Sequence, residues 1–454
     1  MSIMDFSGKR AVVIGGGISG RSAAMALVKH GGTVVLADTQ PRDVTQTPFA
    51  ELRAAGVEFL FGAQDSGLLD GADIIVPSPA ISPEIPLLQE AVRRRIPVWS
   101  EVEVACRVTD AAILAVTGTN GKTTTTTLLG EMVKASGRQT AVGGNIGVGL
   151  AQAVTDLPPQ AVAVAELSSF QLELTSSLHA VGAVILNITP DHLDRHHTME
   201  AYSAAKERIF SNQEATDTAV LNYDDDRVRN MQARRKGKVV FFSTQGEVPE
   251  GTFYKDHQLM LRHDGTDTLI CRDSDLQLFG AHNIQNCLAA VLLATAVAIP
   301  LPVIRSVLKR FRGVEHRLEK VRVLQGVPYY NDSKGTNVDA SIKALEAFSG
   351  HLILIAGGHD KMTPLDAFMK LAARKVDTLI LVGESADRFA AAAKKAGVRD
   401  IRNVGYNMEK AVMTARKLAR PPQQVVLSPA CSSFDMYDNY EQRGRVFKGI
   451  VNAI

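Results

Sequence analysis

Ala115-Val116-Thr117-Gly118-Thr119-Asn120-Gly121-Lys122-Thr123-Thr124 is the stretch on which the fold turns. An apolar run, Ala111 to Val116, enters a glycine-rich turn, and a helical pattern then continues through Val133. That is the layout of a phosphate-binding loop. Small residues let backbone N–H groups turn inward on a polyphosphate, and the helix N-terminus adds its positive dipole end. In such a loop Lys122 reaches the β/γ-phosphates and the Thr123 hydroxyl sits on Mg²⁺. The match to the common pattern is incomplete, because Val116 occupies the first glycine position. Strand, turn and helix nevertheless follow in the required order, and a nucleoside triphosphate is the expected ligand.

Around this loop the chain has 454 residues, 45% of them hydrophobic and 22% charged, which bounds it as a globular protein of about two to four domains. A net charge of +2 gives no warrant for a nucleic-acid or membrane-surface partner. Cys106, Cys271, Cys287 and Cys431 lack the paired spacing of a zinc site and read as free thiols. The opening Met1-Ser2-Ile3-Met4-Asp5-Phe6 has no apolar leader core, and the longest uncharged run, Cys287 to Ile304, is broken by Pro300 and Pro302. A cytoplasmic location without a membrane span is expected.

Three α/β blocks follow one another. The first opens with the strand Arg10 to Ile14, the turn Gly15-Gly16-Gly17-Ile18-Ser19-Gly20, a helix through His30, and a second strand, Thr33 to Ala37, ending at Asp38. Strand signals recur at Asp73–Val76 and near Pro97-Val98-Trp99. The second block continues from the phosphate loop through Ala161–Glu166 and Ala183–Asn187, a helical stretch from Met199 to Asn212, and a hairpin-like excursion between Gly237 and Arg272. An apolar helix begins near Asn283. The third block has strands at Pro328–Tyr330, His351–Ala356, Thr378–Val382 and Gln424–Leu427, with a helix at Ala386–Ala396. Runs of β-branched residues alternating with helices predict parallel sheets.

Several clusters carry chemistry. The first turn fits a nicotinamide dinucleotide, another diphosphate, or merely close helix packing. A separate triphosphate loop weighs against the dehydrogenase, since hydride transfer needs none. Glu166 at a strand end suits a Mg²⁺ ligand, or an acidic residue at a helix start. His192, in Asp191-His192-Leu193-Asp194-Arg195-His196-His197, invites zinc, but no matched second ligand pair accompanies it. Three polar turns mark the third block: Asn331-Asp332-Ser333-Lys334-Gly335-Thr336-Asn337, Gly357-Gly358-His359-Asp360-Lys361 and Ser428-Pro429-Ala430-Cys431-Ser432-Ser433-Phe434-Asp435. Each alone could be capping chemistry; together they favour one converging polar site.

Taken in order, these motifs resemble the Mur ligases of peptidoglycan synthesis over essentially the whole chain. Residues 117–124 are similar to that family's phosphate loop, and Glu166, His282-Asn283, Asn286, His316-Arg317 and Asp332 fit positions shared across it. The turns at 331–337 and 428–434 are most similar to those of the member that adds D-glutamate, and the Asp-Asn-Pro-Arg signature of the diaminopimelate- or lysine-adding member is absent.

The resemblance implies an α/β fold of three domains. Residues 1–108 would be a Rossmann-like domain binding the UDP substrate, 109–312 a central P-loop ATPase domain, and 313–454 a Rossmann-like domain binding the amino acid. The implied activity is an ATP-driven ligation of UDP-N-acetylmuramoyl-L-alanine to D-glutamate through an acyl phosphate. Implied ATP contacts are Gly118, Thr119, Asn120, Gly121, Lys122, Thr123, Thr124, Asn283, Asn286, Arg317 and Asp332. Two Mg²⁺ sites would use Thr123, Glu166, His192 and Lys206, the last as a carbamate formed with CO₂. Gly15, Gly17, Ile18, Ser19, Gly20, Asp38, Thr39, Ser78, Ala80, Asn145 and Gly147 would hold the UDP substrate. Lys334, Thr336, Lys361, Ser433 and Phe434 would hold D-glutamate, with Lys334 answering a carboxylate; Tyr440 departs from the apolar aromatic expected beside them. Lys122, His192, Lys206 and Lys334 are the expected catalytic groups. A monomer with small-molecule partners only, and a hinge near Arg312-Gly313, complete the expectation. Another acceptor amino acid, an NAD-linked dehydrogenase and a nucleotide-hydrolysing switch remain the alternatives.

Overall fold

The computed structural model describes residues 3–45, 47–62, 64–278 and 280–454; Met1 and Ser2, which open the stretch read for a leader, lie outside them. The chain divides into two compact units, residues 1–276 with 282–311, and residues 312–454 with 277–281.

The first unit carries two sheets. β1 (Arg10–Ile14), β2 (Thr33–Asp38), β3 (Glu58–Phe61) and β4 (Ile74–Pro77) form a parallel sheet in the order β3-β2-β1-β4. That is half of a doubly wound fold, and the crevice beyond β1 falls at its switch point. The expected strand at Pro97–Trp99 is only an isolated bridge from Val98 to Ile75. Proline has no N–H to donate to a ladder, so Pro97 limits pairing there.

The second sheet is built from β5 (Ala112–Thr117), β6 (Thr140–Gly144), β7 (Val162–Glu166), β8 (Gly182–Ile185), β9 (Thr218–Asn222), β10 (Lys238–Ser243), β11 (Gly251–Lys255), β12 (Gln258–His263) and β13 (Thr266–Arg272). Their order is β13-β12-β11-β10-β9-β8-β5-β7-β6, parallel from β6 to β11 and antiparallel at β11-β12 and β12-β13. The 237–272 excursion is therefore one more parallel strand followed by a three-stranded meander. The helix from Met199 ends at Glu207 and tightens into a 3₁₀ turn, Arg208–Phe210, short of Asn212.

β5 and β7 are continuous apolar runs because helices cover the parallel sheet on both faces. One hydrophobic core joins the two sheets, running from Phe6, Leu27 and Leu36 through Val102 and Val104 to Ile113, Ala163 and Ile185. No helix among the described residues is long and apolar enough to cross a membrane.

The second unit has a six-stranded sheet of β14 (Glu319–Leu324), β15 (Val327–Asn331), β16 (Leu352–Gly357), β17 (Val376–Val382), β18 (Asp400–Asn403) and β19 (Gln424–Leu427). The order is β14-β15-β19-β16-β17-β18, parallel except for the hairpin β14-β15. Separate apolar clusters lie on its two faces, one around Leu354, Phe368 and Phe389, the other around Ile353, Val412 and Phe447. The three polar turns leave the ends of β15, β16 and β19, neighbouring strands that deliver them to one edge of the sheet.

Candidate active site

In the first unit, β5 runs into the phosphate loop and Gly121 caps the helix Lys122–Ala135 in the left-handed region, at φ 87°. A Cβ on Gly121 would lie 2.3 Å from Asn286 Oδ1, and one on Gly118, at φ 152°, 2.9 Å from Leu186 Cβ. Both glycines are thus required by close approach as well as by conformation. The Asn286 side chain that abuts the loop receives bonds from Thr125 Oγ1 (3.3 Å) and itself donates to Asn283 Oδ1 (2.9 Å). Asn187 closes the other side: its Oδ1 accepts from Asn120 N at 2.8 Å.

Two lysines meet at one carbonyl. Lys122 Nζ donates to Gly118 O (2.9 Å) and Thr119 O (2.8 Å), and Lys206 Nζ donates to the same Gly118 O at 2.9 Å. Lys206 is buried, and its ammonium lies over the Tyr202 ring, 4.6 Å from the centroid. Burial, and then repulsion by Lys122, hold its pKa well below the usual lysine range, with Asp191 opposing. Loss of the proton, which frees the amine lone pair for nucleophilic attack, is thus easier here than on a solvated lysine. Tyr202, one helical turn before Lys206, pairs with Thr119 Oγ1 at 3.2 Å and ties that helix to the loop.

Glu166 ends β7, beside Val116 of β5. Its Oε1 accepts from Asn145 Nδ2 at 3.2 Å, whereas Oε2 is buried with no partner among the described residues. A buried, unpartnered carboxylate oxygen is costly unless a cation completes it. Oxygen donors from Thr123 and Glu166 next to a triphosphate cradle suit Mg²⁺, which prefers hard ligands.

His192 caps the short helix Leu193–His196 at φ 52°, exposed, with its ring 4.8 Å from Phe170 and 6.5 Å from Tyr202. It is not part of any three-residue metal-ligand group found among the described residues, so zinc gains no support.

At the first sheet, Gly15 adopts φ 98°, and a Cβ on Gly20 would strike Gly15 O at 1.9 Å, so the turn folds directly onto the helix Ile18–Lys29. Gly17 and Ile18 are exposed at its start and Ser19 is partly so. Asp38 is buried, yet hydrogen bonds from Gln40 N, Gly16 N (2.9 Å) and Arg42 outweigh that burial and hold its carboxyl below the usual range. Thr39, next to Asp38, is exposed; Ser78 packs against Gly15, and Ala80, two residues on, is exposed. Asn145 and Gly147 lie exposed in the loop after β6. Arg195 reaches back to the carbonyls of Pro79 (3.0 Å) and Ile81 (3.1 Å).

In the second unit, Lys361 Nζ donates to Thr336 O at 3.3 Å, joining the first two polar turns. Lys334 Nζ lies 5.7 Å from the centre of the Tyr440 ring. Ser433 is buried and Phe434 exposed. Asp360 is gripped by Arg388 through two 2.6 Å bonds. Asp332 is buried, with Ser428 Oγ donating to it at 2.7 Å and Leu318 N at 3.2 Å; burial pushes its carboxyl up to about 6 against the nearby Arg317. His316, also buried, shares a 2.8 Å contact with Asn331.

Sequence reading missed Asn187, Tyr202, Arg388 and Arg443. Asn187 follows a strand end and Tyr202 shares a helix face with Lys206, signals that were available. The two arginines act on turns distant in sequence and left no such trace.

With this geometry in view, family models place the chain. Residues 9–100 match the Mur ligase MurD-like N-terminal domain, 116–294 the Mur ligase middle domain, and 316–431 the Mur ligase glutamate ligase domain. UDP-N-acetylmuramoylalanine--D-glutamate ligase of Pelotomaculum thermopropionicum is 44% identical over 100% of this chain and 99% of its own. The protein of the same name from Lachnoclostridium phytofermentans is 40% identical over 99% of both. Among solved structures, UDP-N-acetylmuramate-alanine ligase MurC of Thermotoga maritima shares the fold, with a TM-score of 0.60 at 18% identity, covering 98% of this chain and 99% of that one. The chain belongs to the Mur ligase family.

Proposed function

We propose that this chain is an ATP-dependent amide ligase that joins D-glutamate to UDP-N-acetylmuramoyl-L-alanine in the cytoplasm, acting as a monomer. The full-length relatives that carry that enzyme's name support the substrate pair. The observation that carries the chemistry is the meeting of Lys122 and Lys206 at the Gly118 carbonyl, on a phosphate loop where Gly118 and Gly121 leave no room for a Cβ.

A carboxylate is a poor acyl donor, so its oxygen must become part of a leaving group. The alanine carboxylate attacks the γ-phosphorus of ATP, ADP departs, and an acyl phosphate results. The neutral amine of D-glutamate then adds to the acyl carbon. Loss of its proton and expulsion of phosphate, which keeps the former carboxylate oxygen, leave the amide.

Both steps need positioning and charge neutralisation more than covalent help. Gly118 to Thr124, with Asn283 and Asn286, would hold the triphosphate, Lys122 offsetting its charge; Arg317, with Asp332 behind it, would meet the nucleotide from the second unit. Thr123 and Glu166 would hold one Mg²⁺, and His192 with carbamylated Lys206 a second; the ions supply positive charge to the transferring phosphoryl group. Lys206 suits carbamylation because its amine is already disfavoured as a cation: the nitrogen adds to CO₂, releases a proton, and becomes an anionic oxygen ligand.

Gly15 to Gly20, Asp38, Thr39, Ser78, Ala80, Asn145 and Gly147 would hold the UDP substrate. Lys334, Thr336, Lys361, Ser433 and Phe434 would hold D-glutamate, Lys334 pairing with a carboxylate. Because these groups lie in separate units that part at Phe311 and Arg312, catalysis calls for closure about Arg312-Gly313. Identical scattering profiles with and without ligands would remove that hinge.

The test is phosphate release with ATP, Mg²⁺ and UDP-N-acetylmuramoyl-L-alanine, offering each amino acid in turn. Release dependent on D-glutamate and absent with L-glutamate is expected. Dependence on another amino acid would overturn the acceptor assignment, and none at all would overturn the ligase.

A further inference from the structure

Arg443 lies in the helix Tyr440–Ala453 and is the largest fully buried side chain of the molecule among the described residues. Its guanidinium makes four hydrogen bonds to two of the three polar turns. Nε donates to Ser333 Oγ (2.9 Å), Nη2 to Ser333 O (2.8 Å) and Cys431 O (3.1 Å), and Nη1 to Ser432 O (3.0 Å). The third turn closes on the same group: a Cβ on Gly358 would lie 3.1 Å from Nη1, and His359 N donates to the Ser432 carbonyl that Arg443 also holds. No carboxylate forms an ion pair with Arg443 within 4 Å among the described residues; three backbone carbonyls and one hydroxyl hold it directly. Burial lowers its pKa to about 10, which leaves it a cation at neutral pH.

The geometry points to Arg443 as a positioning residue for the amino-acid pocket, its planar fork setting the spacing between the Ser333 turn, which delivers Lys334 and Thr336, and the Ser432 turn, which delivers Ser433 and Phe434. This rests on the D-glutamate reading above. Arg443 touches no residue of the phosphate loop or of the UDP-binding turn, and every partner lies in the second unit. Its loss is therefore expected to act mainly on the acceptor amino acid, because Asp332, next to Ser333, keeps its own bonds from Ser428 and Leu318. A lysine keeps the charge but presents a single ammonium where the fork spans three backbone carbonyls and a hydroxyl.

The experiment compares wild type, Arg443→Lys and Ser333→Ala. The KM for each substrate is measured, together with positional isotope exchange in ATP without amino acid, which reports carboxylate phosphorylation alone. Arg443→Lys is expected to raise the KM for D-glutamate about tenfold or more, leaving the KM for the UDP substrate and the isotope exchange within about twofold. Ser333→Ala, which removes one of the four bonds and keeps the guanidinium, is expected to raise the same KM about threefold; it carries the test should Arg443→Lys not fold, as judged by its melting curve. An unchanged D-glutamate KM in the folded variants, or an equal loss of isotope exchange, would overturn the assignment. Failure of the wild type to depend on D-glutamate would instead remove the reading on which it rests.

Discussion

Glu101 supplies a prediction whose sign and size both follow from the structure. It is completely buried at the start of the helix Glu101–Arg107, where Oε1 accepts from Ser22 Oγ (2.7 Å) and Ala151 N (2.6 Å). Its Oε2 has no partner among the described residues. Burial pushes the carboxyl up to about 7 from 4.5, although both hydrogen bonds pull the other way. A raised carboxyl pKa means that the folded state holds a proton the unfolded chain has given up. Below about pH 4.5 both states are protonated and the site costs nothing; stability falls as pH rises toward 7 and stays level above it. A displacement of that size corresponds to about 3 kcal/mol. Glu101→Gln preserves the accepting oxygen and cannot ionise. Denaturant unfolding of the two proteins at pH 4 and pH 8 isolates this group, since other carboxyls cancel between them. The variant should match wild type within about 1 kcal/mol at pH 4 and exceed it by about 2–3 kcal/mol at pH 8. Equal stabilities at pH 8, or a variant less stable there, would refute the assignment of the proton to Glu101. Ser22 follows the first glycine turn and Ala151 follows the Asn145 loop, so the same variant reports how firmly those two segments are joined.

Gly121→Ala forces an alanine into the left-handed region, at about 1–2 kcal/mol, and drives Asn286 from its place, at about 1 kcal/mol more; melting and the KM for ATP should both worsen, and an unchanged KM would contradict the cradle. Glu166→Gln removes the charge of the proposed metal ligand in near-identical volume, so kcat should fall by about a hundredfold or more, with more Mg²⁺ needed for half-maximal rate. Lys206→Arg keeps a cation that cannot be carbamylated; activity should fall by about a hundredfold or more, while labelled CO₂, bound by wild type, is absent from the variant on carbon NMR.

The phosphate loop, the first glycine turn and most strands of the parallel sheets were legible because their signals are local. An apolar run, a turn and a helix lie within about twenty residues of one another. Strands such as β3, β6 and β18 escaped notice because they are edge or near-edge strands, half exposed and mixed in polarity. Glu166 could be read as a ligand or as a helix-start acid; its buried, unpartnered oxygen distinguishes the two only in three dimensions. Lys206 looked like a solvated helix lysine apart from the family resemblance, and only burial against Lys122 and Tyr202 reveals its altered chemistry. Arg443 was invisible for the same reason, since it serves turns that follow β15 and β19, about a hundred residues apart in sequence yet adjacent in the sheet.

The central claim is that the carboxylate of the UDP substrate is activated by phosphoryl transfer before the amide forms. Its most direct test is to label the alanine carboxylate with heavy oxygen, let the enzyme turn over with ATP and D-glutamate, and weigh the released phosphate. The account predicts one heavy oxygen in the phosphate for each amide formed. Phosphate carrying none, alongside a normal yield of amide, would contradict it.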